Sequence, residues 1–120
     1  MSNILLVDDD EQLRTMLKIV LTRAGHQVQE ACNGNEAIRI QCEHPADLMI
    51  TDLIMPDKEG LDTIRQVRHN SAGIKIIAMS GGGRVSPEDY LVLAKSLGAD
   101  YALAKPFSNQ EFLRVVQLVL

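Results

Sequence analysis

Apolar and polar residues along this chain follow two alternating spacings. Short runs in which successive residues are apolar, such as ILLV and KIIAM, are separated by longer segments in which apolar residues recur every three or four positions. The first pattern is typical of parallel strands covered on both faces, and the second is typical of amphipathic helices. The predicted strands are 3–8, Gln27–Ala31, Leu48–Asp52, Lys75–Ser80 and Tyr101–Ala104.

A segment with helical spacing follows each predicted strand. Several boundaries carry their own signals: a glycine after the last helical turn, a proline in the first turn, and a capping box of the form S-x-x-E. The predicted helices are a first one ending before Gly25, two more over about 35–43 and 61–68, a fourth from near Pro87 to before Gly98, and a fifth opening at Ser108.

Five strand–helix units in succession predict an α/β fold. The expected architecture is a doubly wound, five-stranded parallel sheet with right-handed crossovers and helices on both faces. A chain of 120 residues has room for one hydrophobic core, so we expect one domain over 1–120. Ligands of such sheets bind beyond the carboxyl ends of the strands, and functional residues are therefore expected at that edge.

Charged and hydroxyl side chains gather at these strand ends. Asp8 and Asp9 end the first strand, Asp52 the third and Ser80 the fourth, while Lys105 follows the fifth. Two carboxylates about 4 Å apart repel each other by roughly 4 kcal/mol at an effective dielectric constant near 20, so the acids need positive charge among them. Mg2+ prefers carboxylate oxygens and keeps positions for a phosphate, whose other oxygens need a cation and a hydrogen-bond donor. The set favours Mg2+-dependent phosphoryl chemistry.

The other acids near these elements have structural interpretations. Asp10 fits the N-cap of the first helix, where a carboxylate accepts from free backbone N–H groups. Asp47 precedes its strand and belongs to the opposite edge, and Asp62 belongs to a helix surface.

Composition narrows the function classes. No apolar stretch approaches the roughly 20 residues that cross a bilayer, and the N-terminus lacks the pattern of an export signal, so a cytoplasmic location without membrane contact is expected. The net charge of -4 and the scattered basic residues argue against direct nucleic acid binding. Cys32 and Cys42 are expected to be reduced and partly buried.

Four segments together carry a family resemblance that covers essentially the whole chain: "LLVDDD", "LMITDLIMPDKEG", "IIAMSG" and "GADYALAKPF". The sequence resembles the receiver domain of two-component response regulators, which has the CheY-like, flavodoxin-like fold. This resemblance implies strand order 2-1-3-4-5 and a phosphoryl-accepting aspartate at Asp52. It also implies Mg2+ held by Asp9, Asp52 and the backbone carbonyl of Ile54, with Asp8 assisting through water.

The same resemblance assigns roles to the remaining site residues and partners. Lys105 would pair with the acceptor carboxylate and then with the phosphoryl group, Ser80 would hydrogen-bond that group, and the Lys105–Pro106 bond would be cis. The phosphodonor would be a sensor histidine kinase or a phosphotransfer protein. The output would be a changed surface around the fourth and fifth helices that controls a partner or an effector domain.

The residue at position 102 departs from the pattern of the family. Many receivers carry an aromatic residue three positions before the lysine, where this chain has Ala102, and Tyr101 is displaced by one residue. A displacement of one residue in a strand moves the side chain to the other face of the sheet, so Tyr101 is not expected to substitute.

Two alternatives remain open from the residues. A Mg2+-dependent phosphohydrolase with an aspartyl-phosphate intermediate would use the same acids, but it usually has a second acid two residues after the nucleophile, where Ile54 stands. A pseudo-receiver would act as an interaction module that takes no phosphate. The sequence leaves open whether the chain is a stand-alone receiver or the receiver part of a longer regulator.

Overall fold

The structure, a computed structural model, describes residues 2–53, 60–80 and 87–120. Its elements alternate between strand and helix along the whole described chain. They are β1 Asn3–Val7, α1 Glu11–Arg23, β2 Gln27–Ala31, α2 Gly34–Glu43, β3 Leu48–Asp52, α3 Gly60–Asn70, β4 Lys75–Ser80, α4 Pro87–Ser96, β5 Tyr101–Ala104 and α5 Asn109–Val119. The predicted strands therefore agree with the observed ones, except that β1 ends one residue earlier, before Asp8.

Within the described residues, the strands form one parallel sheet in the order β2-β1-β3-β4-β5. This order confirms the doubly wound arrangement, in which β1 and β3 are neighbours at the centre and the chain crosses over β1 to reach β3. The carboxyl ends of β1 and β3 consequently lie side by side.

The core has two layers because alternate residues of each strand point to opposite faces of the sheet. Leu5, Val7 and Met49 pack on the face covered by α2, α3 and α4. Ile4, Leu6 and Ile50 pack on the other face, against Leu17 of α1 and Phe112 of α5. Both faces of the central strands are thus apolar, as the continuous apolar runs predict.

Local signals in the sequence set several of the helix ends. The Asp10 carboxylate accepts a hydrogen bond from the Leu13 N–H at 3.1 Å, which confirms Asp10 as the N-cap of α1. Gly25 has a φ of 96°, a left-handed conformation that glycine adopts at little cost after a helix. The Ser108 hydroxyl accepts from the Glu111 N–H at 3.0 Å at the start of α5, as the S-x-x-E motif predicts.

No helix in the described part of the chain is both long and apolar enough to cross a membrane.

Candidate phosphoryl-acceptor site

Three carboxylates meet where β1 and β3 end. Asp8 and Asp9 follow β1 directly, and Asp52 is the last residue of β3. One carboxylate oxygen from each of Asp8, Asp9 and Asp52 lies within 4.8 Å of the corresponding oxygens of the other two. Within residues 2–53, 60–80 and 87–120, this is the one cluster of acidic, histidine or cysteine side chains suited to a metal ion.

Lys105 supplies the positive charge that the acids require. Its ammonium group donates a hydrogen bond to Asp8 Oδ2 at 3.1 Å and lies 3.6 Å from Asp52 Oδ1. The lysine thus bridges the two buried carboxylates: the resemblance implies its pairing with Asp52, but it lies nearer to Asp8. Three carboxylates facing one ammonium group still leave an excess of negative charge at the site.

The three acids differ in their surroundings. Asp8 is completely buried, and its Oδ1 accepts a hydrogen bond from the Asp10 N–H at 2.9 Å while its Oδ2 accepts from Lys105. Asp52 is 8% exposed, and Asp9 is exposed to solvent. The site therefore has a buried floor formed by Asp8 and Asp52, and an open side at Asp9.

Burial changes the acidity of the two floor residues. Loss of hydration raises the pKa of Asp52 to about 6, because the attraction of Lys105 only partly offsets the burial and the charge of Asp8 opposes ionisation. Burial also raises the pKa of Asp8, against the opposing effects of the Asp10 N–H and Lys105. Two carboxyl groups with raised pKa values beside a cation are typical of a functional site.

Ser80 is the last residue of β4. In the sheet, β4 lies next to β3 on the side away from β1. Its side chain is buried, and its carbonyl oxygen accepts a hydrogen bond from the Lys105 N–H at 2.7 Å. The register pairs Asp52 with Met79, so Ser80 lies one residue beyond the level of Asp52. Ser80 and Lys105 are therefore linked through their backbones at the edge that carries the acids.

The donor set fits a hard divalent cation such as Mg2+. The cluster offers three carboxylate oxygens at mutual distances suited to one ion, and one of the three acids faces solvent, which leaves room for water ligands. The backbone carbonyl of Ile54, which the resemblance adds to this set, lies outside the described residues.

Comparison with known proteins decides the family. The family model for the response regulator receiver domain matches residues 4–117 of this chain. The chain belongs to this family. The sequence of the Pseudomonas aeruginosa transcriptional regulatory protein GltR is 38% identical to the receiver over 120 residues, and that of the Azospirillum brasilense DNA-binding transcriptional regulator NtrC is 36% identical over 119 residues.

The receiver spans only part of these relatives, 48% of GltR and 24% of NtrC. Two solved structures match over nearly all of their own length. The chemotaxis response regulator CheY4 of Vibrio cholerae has a TM-score of 0.91 and 32% identity, over 100% of this receiver and 99% of that chain. The Thermotoga maritima response regulator TrrA, solved in complex with Mg2+-BeF, has a TM-score of 0.88 and 30% identity, with both chains covered completely.

The backbone after β5 agrees with the resemblance. The Lys105–Pro106 peptide bond of the receiver is cis.

Tyr101 lies opposite Ile77 and packs against the α1 and α5 side of the core, while Ala102 lies opposite Ala78 on the other face. Tyr101 does not occupy the side of the sheet on which Ala102 stands, as the offset of one residue predicts.

Arg14 and Glu30 lie beside the site, and the sequence did not predict their contacts. Arg14 of α1 donates to the carbonyl oxygen of Asp8 at 2.7 Å and to Glu30 of β2 at 3.1 Å. Arg14 and Lys18 are cations four residues apart on one helix, and this spacing places them on the same face. Both pair with Glu30 of β2, but that pairing could be predicted only if it were known that α1 lies over β2.

Further positions have their own explanation in the structure. Gly60 does not have a positive φ, and it is glycine because it packs against the backbone of Asp52 and Leu53. Cys32 and Cys42 are free, as expected, but both are exposed rather than partly buried. Asp47 does lie at the opposite edge, where its carboxylate accepts from the Asn3 N–H at 2.9 Å.

Proposed function

We propose that this receiver is a phosphoryl-accepting switch of a histidine-to-aspartate relay, with Asp52 as the acceptor. The observation that carries the proposal is the placement of Lys105 between Asp8 and Asp52, with Asp9 completing a cluster of three acids at the carboxyl edge of the sheet. The donor would be a phosphohistidine of a sensor histidine kinase or of a phosphotransfer protein. The cell compartment expected for such a relay is the cytoplasm.

The acceptor carboxylate must be ionised to attack phosphorus. With a pKa of about 6, the Asp52 carboxyl group is about ten times more often ionised than protonated at pH 7. In the transfer, one oxygen of Asp52 forms a bond to phosphorus while the bond between phosphorus and the imidazole nitrogen of the donor breaks. The released imidazole nitrogen keeps the electron pair of that bond.

The charge of the phosphoryl group has to be balanced by the site. Mg2+ held by Asp9, Asp52 and the Ile54 carbonyl, with Asp8 assisting through water, would supply positive charge toward the phosphoryl oxygens. Lys105 would supply a second positive charge, and the Ser80 hydroxyl would donate a hydrogen bond. Asp8 would serve mainly to hold Lys105 and to complete the negative charge that attracts the cation.

Transmission to a partner would begin with Lys105. Phosphorylation adds about -1.5 to -2 charges and three acceptor oxygens at Asp52, so the ammonium group is drawn from Asp8 toward the new group. The Lys105 N–H donates a hydrogen bond to the Ser80 carbonyl. A shift of either residue would therefore move the ends of both β4 and β5. These strands lead into α4 and α5, and the surface around those helices would control a partner or an effector domain.

The alternatives are less well supported. A phosphohydrolase is not favoured by membership of a family of signalling receivers. A pseudo-receiver is not favoured by the presence of both the three acids and the lysine within one cluster. The matched regulators GltR and NtrC are transcriptional proteins, and we propose that any contact with DNA in such a system belongs to other domains, not to this acidic chain.

The test is Mg2+-dependent labelling by a small phosphodonor such as acetyl phosphate. The wild-type protein should gain one phosphoryl group, seen as a mass increase or as retardation in a phosphate-binding gel. Asp52→Asn should abolish it, while Asp62→Asn, an exposed acid of α3, should leave it unchanged. Equal labelling of the wild-type protein and Asp52→Asn would exclude Asp52 as the acceptor, and labelling of neither would favour the pseudo-receiver.

A further inference from the structure

Arg14 lies behind the acidic cluster rather than within it. It is the fourth residue of α1, and its side chain, which is 15% exposed, reaches back toward the end of β1. This direction is the usual one for long helical side chains, which tilt toward the amino end of their helix. The guanidinium donates through Nη1 to the Asp8 carbonyl oxygen at 2.7 Å and through Nε to Glu30 Oε1 at 3.1 Å.

The carbonyl that Arg14 binds belongs to the peptide unit that joins Asp8 to Asp9. A peptide unit is planar, so fixing its oxygen also fixes the nitrogen from which Asp9 begins. The preceding peptide unit is held separately, because the Asp8 N–H donates to the Ala31 carbonyl of β2 at 3.1 Å. Arg14 therefore sets the direction in which the chain leaves β1 and presents the exposed Asp9.

Glu30 holds the guanidinium in this position. Glu30 lies in β2, opposite Leu6 of β1. Its Oε1 accepts from Arg14, and its Oε2 accepts from Lys18 Nζ at 3.2 Å. The resulting chain of contacts runs from Lys18 through Glu30 and Arg14 to the Asp8 carbonyl. Each contact has a charged donor, and the shortest of them is the one from Arg14 to the Asp8 carbonyl oxygen, at 2.7 Å.

We propose that Arg14 is a positioning residue, held by Glu30, that orients Asp9 toward the cation bound at the acidic cluster. The inference rests on the proposed function, since it assigns a role toward the divalent ion of that site. A lysine at position 14 would keep the charge but would lose the planar fork that reaches Asp8 and Glu30 at the same time. Arg14→Lys thus separates geometry from charge.

The experiment measures Mn2+ binding by electron paramagnetic resonance, with Mn2+ standing in for Mg2+ because both prefer carboxylate and water oxygens. Arg14→Lys should lower the affinity by about tenfold, as is common when an outer contact of a ligating residue is lost. Glu30→Gln should give a smaller loss, and it tests the same contact without altering Arg14. The matched control is Arg39→Lys, which changes an exposed arginine–glutamate pair on α2 and should leave the affinity unchanged.

A second readout separates positioning from general stability. In the metal-free protein, the Asp9 amide cross-peak in 1H–15N spectra should move in Arg14→Lys and stay in place in Arg39→Lys, while thermal unfolding reports stability independently. Mn2+ affinity within twofold of wild type in both Arg14→Lys and Glu30→Gln would overturn the positioning role alone. Failure of the wild-type protein itself to bind Mn2+ would overturn the proposed function together with this inference.

Discussion

Gly60 packs directly against the backbone of Asp52. A β-carbon added at position 60 would overlap the Asp52 carbonyl oxygen and would lie 2.5 Å from Leu53 Cα. The Gly60 N–H also donates to the Leu53 carbonyl at 2.9 Å. The start of α3 is therefore pressed against the residue that we propose as the acceptor, and only a residue without a side chain fits there.

Gly60→Ala should destabilise the protein by about 1 to 3 kcal/mol, because backbone atoms cannot move aside as a flexible side chain can. Urea unfolding measures the change. Gly73→Ala is the matched control, since a β-carbon at position 73 meets nothing within 4 Å, and its effect should be within about 0.5 kcal/mol of zero. Equal stability of the two variants would contradict the close packing at Gly60.

Lys105→Met should raise the pKa of Asp52 above about 6. Burial raises the pKa of Asp52 and the charge of Asp8 adds to this effect, while Lys105 is the largest influence that lowers it, so removing the lysine should raise the pKa further. Carboxyl 13C chemical shifts followed through a pH titration report the change. Lys75→Met, at the exposed opposite end of β4, should leave the titration of Asp52 as it is, and an unchanged Asp52 pKa in Lys105→Met would be inconsistent with the observed ion pair.

Without divalent cations, the burial of Asp52 should make stability fall as the pH rises from about 4 to about 6. In this window the folded protein keeps the proton of Asp52, whose pKa is about 6, while the unfolded chain releases it near 3.8, so the folded state binds more protons. The contribution is fully present below about pH 4 and is lost above about pH 6, and it reaches at most about 3 kcal/mol.

Asp52→Asn removes this dependence. In the presence of a chelator, the variant should be more stable than the wild-type protein at pH 7, and the difference should shrink toward pH 4. Thermal unfolding at a series of pH values measures both curves, with Asp62→Asn as an exposed control. A wild-type curve that rises between pH 4 and pH 6 in parallel with that of Asp52→Asn would refute the raised pKa.

Asp9→Asn should raise the melting temperature by a few degrees in a chelator and weaken Mn2+ binding. The exposed Asp9 adds negative charge to a cluster that already contains two buried carboxylates, and its removal relieves repulsion without breaking the contacts between Asp8 and Lys105. A loss of stability in the chelator would show that Asp9 has a structural role instead. Asp8→Asn is the less clean variant, because it also removes the charged acceptor of Lys105.

Much of the fold could be read from local patterns. The strand limits follow from short apolar runs, and caps such as Asp10 and Ser108 mark the helix starts through contacts only three residues long. The site residues could also be predicted to lie together, because the carboxyl ends of parallel strands lie at one edge of the sheet. These residues are Asp8, Asp9, Asp52, Ser80 and Lys105. What depends on a residue and its near neighbours was predictable.

The sequence by itself thus determined the parallel sheet, the edge that carries the chemistry and the types of residue found there. Only the tertiary structure decided that Lys105 lies nearer to Asp8 than to Asp52, that Arg14 and Glu30 support the loop of Asp8, and that Gly60 is required by close packing. These relationships join residues up to 97 positions apart along the chain. They depend on distances between elements packed in three dimensions, and the spacing of residue types along one chain does not contain those distances.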